Sequence, residues 1–343
     1  MLSISRGSTI PYPIDQDIVS RIEHQAQICP EKIAAYCGNE TITYAKLNSK
    51  ANEVGRKLKM AGISSGDLVP VLTERSFNYI VSVLGILKVN AAFVPLDIEW
   101  PLVRLKSLIF DLEPKVLLLD SHFKTINVDD DCRIIEINWR KLDEDSKNPV
   151  RQIDLARVIY GIYTSGTSGK PKCALNLHKG IINRFLFNSI EFGEISEHVV
   201  LNTSKVTFDV SVWQIFWPLT FGGSVVLPDL DKGMDLRHIF ELIEKYKVTI
   251  TDLVPSVFNL FSEYVESFPS SEISLKSLQF LNIGGEMINE YARNSDAAGP
   301  GLRPEDMAAV SEDLAEIDRL SALNDLMTTA QMAIKTTIAL SLI

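Results

Sequence analysis

The chain has 343 residues, of which 46% are hydrophobic and 23% are charged, and its formal net charge is −10. This composition is typical of a folded globular protein and excludes a chain that is disordered throughout. The acidic balance argues against a general binder of nucleic acid or of anionic membranes. At about 100–200 residues per domain, the length predicts two or three folded units.

The cysteines and histidines exclude further classes of protein. The cysteines form no CxxC pair, and the five histidines have no metal-binding spacing, so we expect neither disulfides nor a zinc site. The first residues do not resemble a signal peptide, and no run of about 18 apolar residues could span a membrane. We therefore expect a reduced protein of the cytoplasm.

Short apolar strands alternate with amphipathic helices in the first half of the chain. A helix is predicted within residues 17–36, and a strand at Ile33–Tyr36 follows it. The next predicted elements are a strand or turn at Thr41–Tyr44, a helix over about Ala45–Ala61, a strand at Val69–Leu72, a helix at Phe77–Val89, a strand at Ala92–Pro95, a helix at Leu102–Asp111 and a strand at Val116–Leu119.

A second block with the same rhythm begins near Val199. Before it, segment 121–155 is predicted to be irregular because it is polar. The elements predicted after that segment are a strand at Val158–Tyr163, a helix at 178–190, strands at Val199–Asn202, Ser224–Leu227, Thr249–Leu253 and Leu278–Ile283, and helices at Val210–Leu219, Leu236–Lys245 and Ser256–Val265. The alternation indicates βαβ units, so we predict an α/β fold with subdomains at 1–198 and 199–293.

The composition changes near Arg293. Residues 294–301 have the character of a flexible linker, and residues 304–343 are rich in alanine, leucine and methionine with apolar side chains at helical spacing. We therefore predict that residues 294–343 form a linker and an unrelated α-helical tail, which is a candidate for self-association.

A run rich in glycine and hydroxyl side chains follows the strand at 158–163. Its glycines permit close backbone approach and positive φ, so that successive amide N–H groups can form a nest for an anion. A loop after a strand end is also where ligands bind in open α/β sheets. The run predicts a nucleotide-phosphate site formed by Thr164, Ser165, Gly166, Thr167, Ser168, Gly169, Lys170 and Lys172.

Two familiar phosphate motifs do not fit this run. The GxxxxGKS/T loop would need a glycine at Thr164 and a helix that opens at the lysine, where Pro171 follows instead, and a GxGxxG pattern is also absent. The alternative interpretation is a mobile polar surface loop. We favour the phosphate site because the whole run is rich in glycine, hydroxyl and lysine residues.

The run and four other segments resemble the adenylate-forming superfamily, and in particular the adenylation domains of nonribosomal peptide synthetases. YTSGTSGKPK is similar to the signature loop of that superfamily. The other segments resemble LTYxEL, LKAGAAYVPLD, HxGxxN and FDxSVW, and they begin here at Ile42, Leu87, His178 and Phe208. The resemblance covers roughly residues 15–293, and it implies the N-terminal part of the adenylate-forming fold, in which parallel-sheet subdomains are layered with helices.

Asp209 is the residue that narrows the resemblance to enzymes that activate amino acids, in which an aspartate at this place pairs with the substrate's α-ammonium group. The alternative is a helix N-cap, since a helix is predicted from Val210. The other pocket residues implied are Val210 and Trp213, together with Asp252, Leu281 and Ile283. A second carboxylate at Asp252 would suit a short cationic or hydroxylated side chain, or it is simply an aspartate at a strand end.

The resemblance also implies a reaction. The amino-acid carboxylate attacks the α-phosphorus of ATP, pyrophosphate leaves, and Mg²⁺ assists. Lys172 and His178 are implied as catalytic residues, with no metal ligand assigned. The aminoacyl group then passes to the phosphopantetheine thiol of a carrier protein.

The sequence departs from the family pattern in two places. Cys173 stands where the loop usually ends in glycine, so its Cβ is expected to crowd the backbone. After Gly284–Ile288 we find no YGPTE loop, no ribose-binding aspartate and no small C-terminal domain with a catalytic lysine. Two functions therefore stay open: an adenylation enzyme that is incomplete in this chain, or a non-catalytic remnant whose tail serves interaction or oligomerisation.

Overall fold

The computed structural model describes residues 16–120, 123, 126, 131–164, 170–193, 195–229, 232, 235–267 and 275–284. The predicted helical tail at 294–343 and the loop residues Ser165–Gly169 lie outside the described residues.

The chain divides into two units that are not continuous in sequence. The first unit takes residues up to 30, then 44–73 and 78–193, and the second takes 31–43, 74–77 and the residues from 194 onward. Segments 31–43 and 74–77, which sequence analysis placed in the first subdomain, thus belong to the second unit. Each unit is built on a six-stranded sheet.

The sheet of the first unit has the strand order β6-β5-β3-β4-β7-β8. All neighbouring pairs are parallel except β7–β8, which form an antiparallel hairpin at one edge. Its strands are β3 (Leu68–Leu72), β4 (Ala92–Pro95), β5 (Val116–Asp120), β6 (Arg133–Ile137), β7 (Val158–Thr164) and β8 (Lys172–Leu177). Strands β4 and β5 are buried along their whole length, as parallel strands covered by helices usually are.

Five helices belong mainly to this unit: α1 (Ile18–Ile28), α2 (Tyr44–Met60), α3 (Phe77–Leu87), α4 (Leu102–Leu112) and α5 (His178–Phe192). Asp17 begins α1 through a capping box, in which its carboxylate accepts from the Ser20 N–H and the Ser20 hydroxyl accepts from the Asp17 N–H. Helices α2 and α3 pack closely at Gly85, where an added Cβ would lie 2.5 Å from Val54.

The sheet of the second unit has the order β12-β11-β9-β10-β1-β2 and is parallel except at β1–β2. Its strands are β1 (Ile33–Cys37), β2 (Glu40–Thr43), β9 (Val199–Leu201), β10 (Ser224–Leu227), β11 (Ile250–Leu253) and β12 (Phe280–Ile283). Its helices are α6 (Asp209–Phe221), α7 (Leu236–Tyr246) and α8 (Pro255–Ser267). Pro255 suits the first position of α8, where the missing N–H would have no helical partner.

Helices α7 and α8 cover one face of the second sheet. Buried side chains from the strands and from both helices form one apolar cluster there, which includes Leu201, Leu253, Ile239, Phe258 and Phe261. Helix α6 lies on the other face, because Asn202, at the end of β9, donates to Gln214 of α6 at 2.7 Å. One face of the second sheet therefore packs against α7 and α8, and the other face packs against α6. Strand residues whose side chains point away from the α7/α8 cluster face α6.

Two strands fall where sequence analysis predicted none. Segment 121–155 contains β6, whose outer residues are polar because it forms an edge of the sheet, and this polarity led to the wrong prediction of irregular structure. Strand β8 follows the predicted phosphate loop in the chain and pairs with β7. None of the described helices is long and apolar enough to cross a lipid bilayer.

Candidate active site

The β7–β8 hairpin holds the two ends of the predicted phosphate loop together. Thr164 pairs with Lys172 in the antiparallel register, and the Thr164 hydroxyl donates to the Lys172 carbonyl oxygen at 3.4 Å. Thr164, Lys170 and Lys172 are all exposed. The structure thus presents two exposed lysines at the base of the loop, where they are available to an anion, while the Thr164 hydroxyl proton is used within the hairpin.

Tyr163 and Cys173 anchor this hairpin to the core of the first unit. Tyr163 is buried, and its hydroxyl donates to the Leu108 carbonyl oxygen at 3.0 Å. Cys173 pairs with Tyr163 across the hairpin, and its side chain packs against the same apolar cluster. Burial, with a smaller contribution from Asp111, raises the pKa of the Cys173 thiol to about 11, so the thiol is protonated at neutral pH.

Gly161 provides the space that the Cys173 thiol occupies. A Cβ added at Gly161 would lie 2.5 Å from Cys173 Sγ, closer than non-bonded atoms normally approach. The resemblance implies a glycine at position 173, where this chain has a cysteine. The cysteine side chain fits because Gly161, on the neighbouring strand β7, has no side chain. The lack of a side chain at Gly161 thus leaves room for the Sγ atom of Cys173.

His178 is the first residue of α5 and is buried. Burial lowers the pKa of its imidazole to about 4, while nearby Asp17 acts to raise it and Arg151 to lower it. Its Nδ1 atom has no hydrogen-bond partner among the described residues. The side chain is therefore neutral at pH 7, and its proposed catalytic role stays a prediction.

A buried ion pair fixes the surroundings of His178. Both guanidinium Nη atoms of Arg151 donate to the Asp17 carboxylate, one of them at 2.7 Å, and both side chains are about 95% buried. Burial acts to raise the pKa of Asp17, but Arg151 and the Ser20 N–H outweigh it, so that pKa is lower than usual. The carboxylate is thus charged and paired at neutral pH.

In the second unit, Asp209 lies one residue inside α6. Phe208 is the N-cap and makes no side-chain capping bond, so the structure does not support the alternative that Asp209 caps the helix. The Asp209 side chain is exposed and makes no hydrogen bond within the described part of the chain. A carboxylate in the first helical turn is favoured by the helix dipole and remains available to a cation.

A buried network holds the segment that leads from β9 to α6. Gln214 Oε1 accepts from the Ser204 N–H at 3.1 Å and from the Asn202 amide at 2.7 Å. Gln214 Nε2 donates to the Thr203 hydroxyl at 3.1 Å, and that hydroxyl donates to the Asp252 carbonyl oxygen. Asp209 is therefore positioned by backbone and side chains that are tied to both α6 and β11.

The remaining predicted pocket residues fall on both faces of the second sheet. Val210 and Trp213 lie on α6, and Trp213 makes an edge contact with Trp217 at 6.0 Å between ring centroids. The Leu253 side chain faces α7 and α8. Because successive side chains of a strand point to opposite faces, the Asp252 side chain faces α6. Leu281 and Ile283 lie in the opposite core, with the Leu253 side chain.

Asn282 is the candidate residue that sequence analysis missed. It pairs directly with Asp252 in the parallel register of β11 and β12, and its side chain therefore shares the α6 face. Leu281 and Ile283, its two neighbours, necessarily face the other way because side chains alternate along a strand. Side chains alternate between the two faces of a strand, so Asn282 faces away from its neighbours Leu281 and Ile283. This alternation is the sequence signal that could have identified Asn282.

No metal site is visible in the described ranges, which contain no cluster of three or more histidine, cysteine, aspartate or glutamate side chains able to hold an ion. All four cysteines are free thiols.

A family model described as AMP-binding enzyme matches residues 22–295. The chain belongs to the AMP-binding enzyme family. The recognition made from the sequence motifs and the α/β fold class are both confirmed.

Similar proteins include several bacterial synthases. Tyrocidine synthase 3 of Brevibacillus parabrevis is 31% identical over 78% of this chain and 4% of that protein. Zwittermicin A synthase ZmaJ of Bacillus cereus is 32% identical over 78% of this chain and 51% of that protein. Gramicidin S synthase 1 of Brevibacillus brevis is 32% identical over 71% of this chain and 23% of that protein. The chain thus spans about half of these relatives or less.

Solved structures of the nonribosomal peptide synthetase FmoA3 share the fold. The AMPPNP-bound form matches with a TM-score of 0.78 and 22% identity, over 96% of this chain and 32% of that chain. The form bound to α-methyl-L-serine-AMP matches with a TM-score of 0.74 and 24% identity, over 81% of this chain and 31% of that chain. At these identities the likeness establishes the fold alone.

Proposed function

We propose that this chain takes part in amino-acid activation for nonribosomal peptide synthesis, in which ATP and an amino acid give aminoacyl-AMP and pyrophosphate. The aminoacyl group would then pass to the phosphopantetheine thiol of a carrier protein. The observation that carries the proposal is Asp209, an exposed carboxylate at the start of α6 that does not cap its helix. Such a group is suited to the α-ammonium of an amino acid and would disfavour plain fatty or aryl acids.

The lysines at the β7–β8 hairpin would supply the electrostatic part of this reaction. A substrate carboxylate oxygen forms a bond to the α-phosphorus, and the bond from that phosphorus to the pyrophosphate oxygen breaks. Negative charge then grows on pyrophosphate, which Lys170 and Lys172 would stabilise together with the loop. Any Mg²⁺ would act on the nucleotide phosphates, where it would neutralise part of this charge.

Amino-acid-dependent exchange of pyrophosphate into ATP tests the proposal with the full chain. We expect exchange above background, and we expect Lys172→Ala and Asp209→Asn each to reduce it by tenfold or more, about 1.4 kcal/mol. Lys179→Ala is the matched control, because Lys179 is an exposed lysine at the start of α5. Its exchange rate should equal that of the wild type.

The opposite result would favour the alternative function, a non-catalytic remnant. No exchange with any proteinogenic or basic amino acid, combined with no ATP binding by calorimetry, would contradict adenylation by this chain. Comparing light scattering with and without residues 294–343 tests the proposed self-association of that segment. The free thiols support a reducing compartment, and we propose the cytoplasm.

A further inference from the structure

We propose that Arg75 binds an oxyanion of the substrates, either the carboxylate of the amino acid or the α-phosphate of the nucleotide, at the carboxyl edge of the second sheet. This inference rests on the proposed function, since it assumes that the chain binds an amino acid and a nucleotide. It adds a residue that no motif had indicated. Both oxyanions take part in the bond that forms during the proposed reaction, so Arg75 would act at the reacting groups.

Arg75 lies where parallel strands of the second sheet end, and its segment at 74–77 belongs to the second unit. Its Nη1 atom is 3.5 Å from the carbonyl oxygen of Asn202, the residue that follows β9. Burial lowers the pKa of its guanidinium, and nearby Cys37, the last residue of β1, acts to raise that pKa. Because β9 and β1 are both parallel to β10, which lies between them, their carboxyl ends share one edge. Ligands of open α/β sheets bind at this edge.

The positive charge of Arg75 has no carboxylate partner among the described residues. Two other buried cations do have one, since Lys88 Nζ lies 2.5 Å from the Glu23 carboxylate and Arg151 pairs with Asp17. Arg75 is half-buried, and an arginine stays charged at neutral pH. A charge that is partly removed from water is unfavourable without a counter-charge. A bound anion would supply that counter-charge.

The contacts of Arg75 leave most of its N–H donors unused. In the described ranges only Nη1 has partners, the carbonyl oxygens of Asn202 and Ser204 at 3.5 and 3.4 Å, which are long for hydrogen bonds. Nε and Nη2 do not belong to the fully buried polar atoms that lack a partner, so solvent reaches them. A guanidinium presents such donors as a planar fork, which fits two oxygens of a carboxylate or a phosphate.

Helix α6 fixes the backbone on which Arg75 rests. Gln214 of this helix accepts from the Ser204 N–H at 3.1 Å and from the Asn202 amide at 2.7 Å. The segment that holds Arg75 leads in the chain to Asp209, the carboxylate proposed to bind the α-ammonium group. A free amino acid carries a carboxylate beside its ammonium group, so its site needs a cation as well as an anion. Arg75 is a cation of the same unit.

The alternative is a structural role, in which Arg75 only joins its segment to the end of β9. Arg75→Gln separates the two roles, because glutamine keeps an N–H donor for the carbonyl oxygens but carries no charge. A structural role would make the variant change stability alone. An oxyanion site would make it change the affinity for charged ligands and leave the affinity for their neutral counterparts as it was.

Two pairs of probes identify the oxyanion, and calorimetry of the full chain measures all four. AMP and adenosine differ in the phosphate. The amino acid with the fastest pyrophosphate exchange and its amide differ in the carboxylate. We expect Arg75→Gln to weaken AMP or the amino acid by about tenfold or more, with adenosine and the amide unaffected. A loss for AMP identifies the phosphate as the bound group, and a loss for the amino acid identifies the carboxylate.

Arg75→Lys keeps the charge without the fork, so it should lose less affinity, and it is a second variant should Arg75→Gln fail to fold. The matched control is Arg237→Gln, which removes an exposed arginine of α7 and should leave all four affinities unchanged. If Arg75→Gln binds AMP and the amino acid as the wild type does, or weakens all four probes equally, the inference is overturned and amino-acid activation stands. Failure of the wild type to bind AMP or any amino acid would overturn the proposed function as well.

Discussion

The β7–β8 hairpin and the α6 face of the second sheet are both proposed to bind substrate, but they are assembled differently. The groups of the hairpin are neighbours in sequence, and Thr164 and Lys172 face each other across a short loop. The groups of the α6 face come from three strands and one helix. A site formed by one loop is visible as a motif, whereas a site formed by several strands depends on which way each side chain points.

The two regions also differ in how their polar groups are satisfied. Beside the hairpin, the buried charges of Asp17 and Arg151 neutralise each other. On the α6 face, Asn202 and Asn282 keep buried oxygens without partners in the described residues. We therefore expect substitutions of the buried charges beside the hairpin to act mainly on stability, and substitutions of the exposed Lys172 or Asp209 to act mainly on ligand binding.

The largest effect is expected from Arg151→Met. It leaves the Asp17 carboxylate buried and unpaired, and it should lower the free energy of unfolding by about 3–5 kcal/mol, measured by urea denaturation. Arg237→Met is the control, since Arg237 and Glu241 form an exposed pair whose loss should cost less than about 1 kcal/mol. Equal losses in the two variants would show that the buried pair does not anchor this unit.

Gly161→Ala should destabilise the hairpin by about 1–3 kcal/mol, because the new methyl group meets Cys173 Sγ at 2.5 Å. Adding Cys173→Gly should restore part of this loss, since Leu175 and Val94 remain at 3.0 and 3.4 Å from the new atom. A double-mutant cycle in urea measures the coupling. Purely additive losses would contradict the proposed complementarity of Gly161 and Cys173.

Because the imidazole of His178 is buried, we expect the free energy of unfolding to depend on pH. Its pKa is about 4 in the folded chain and 6.5 in the reference state, so the unfolded chain binds the extra proton between these values. The contribution is fully present above pH 6.5, and it is lost as pH falls, by at most about 1.4 kcal/mol for each pH unit. His178→Gln should flatten this part of a stability curve measured between pH 7 and pH 4. An unchanged slope would show that another group is responsible.

The smallest effect on folding is expected from Asp209→Asn. The carboxylate is exposed, so the substitution removes only its interaction with the helix dipole and should change stability by less than about 1 kcal/mol. Amino-acid binding should nevertheless weaken by tenfold or more, about 1.4 kcal/mol. Thermal melting and calorimetry on the same preparation separate the two. A large loss of stability would assign Asp209 a structural role.

Much of the fold was predictable because it depends on local patterns. The apolar strands β3, β4, β5 and β7 and the helices between them were expected within a few residues of their observed ends. Strand β6 was missed because an edge strand with exposed polar residues lacks the continuous apolar run of a buried strand. The assignment of β1 and β2 to the second sheet was not predictable, since it depends on a long-range parallel pairing of β1 with β10.

The sequence by itself determined the family, and it predicted the phosphate loop and the substrate role of Asp209, because each is encoded in a contiguous run whose chemistry can be interpreted residue by residue. Only the tertiary structure decided that Asp252 and Asn282 face α6 while Leu281 and Ile283 face the opposite core. It also decided that Gly161 makes room for Cys173. The physical reason is that a shift of one residue in a strand reverses the face of its side chain, and the register that sets that face is formed between distant segments.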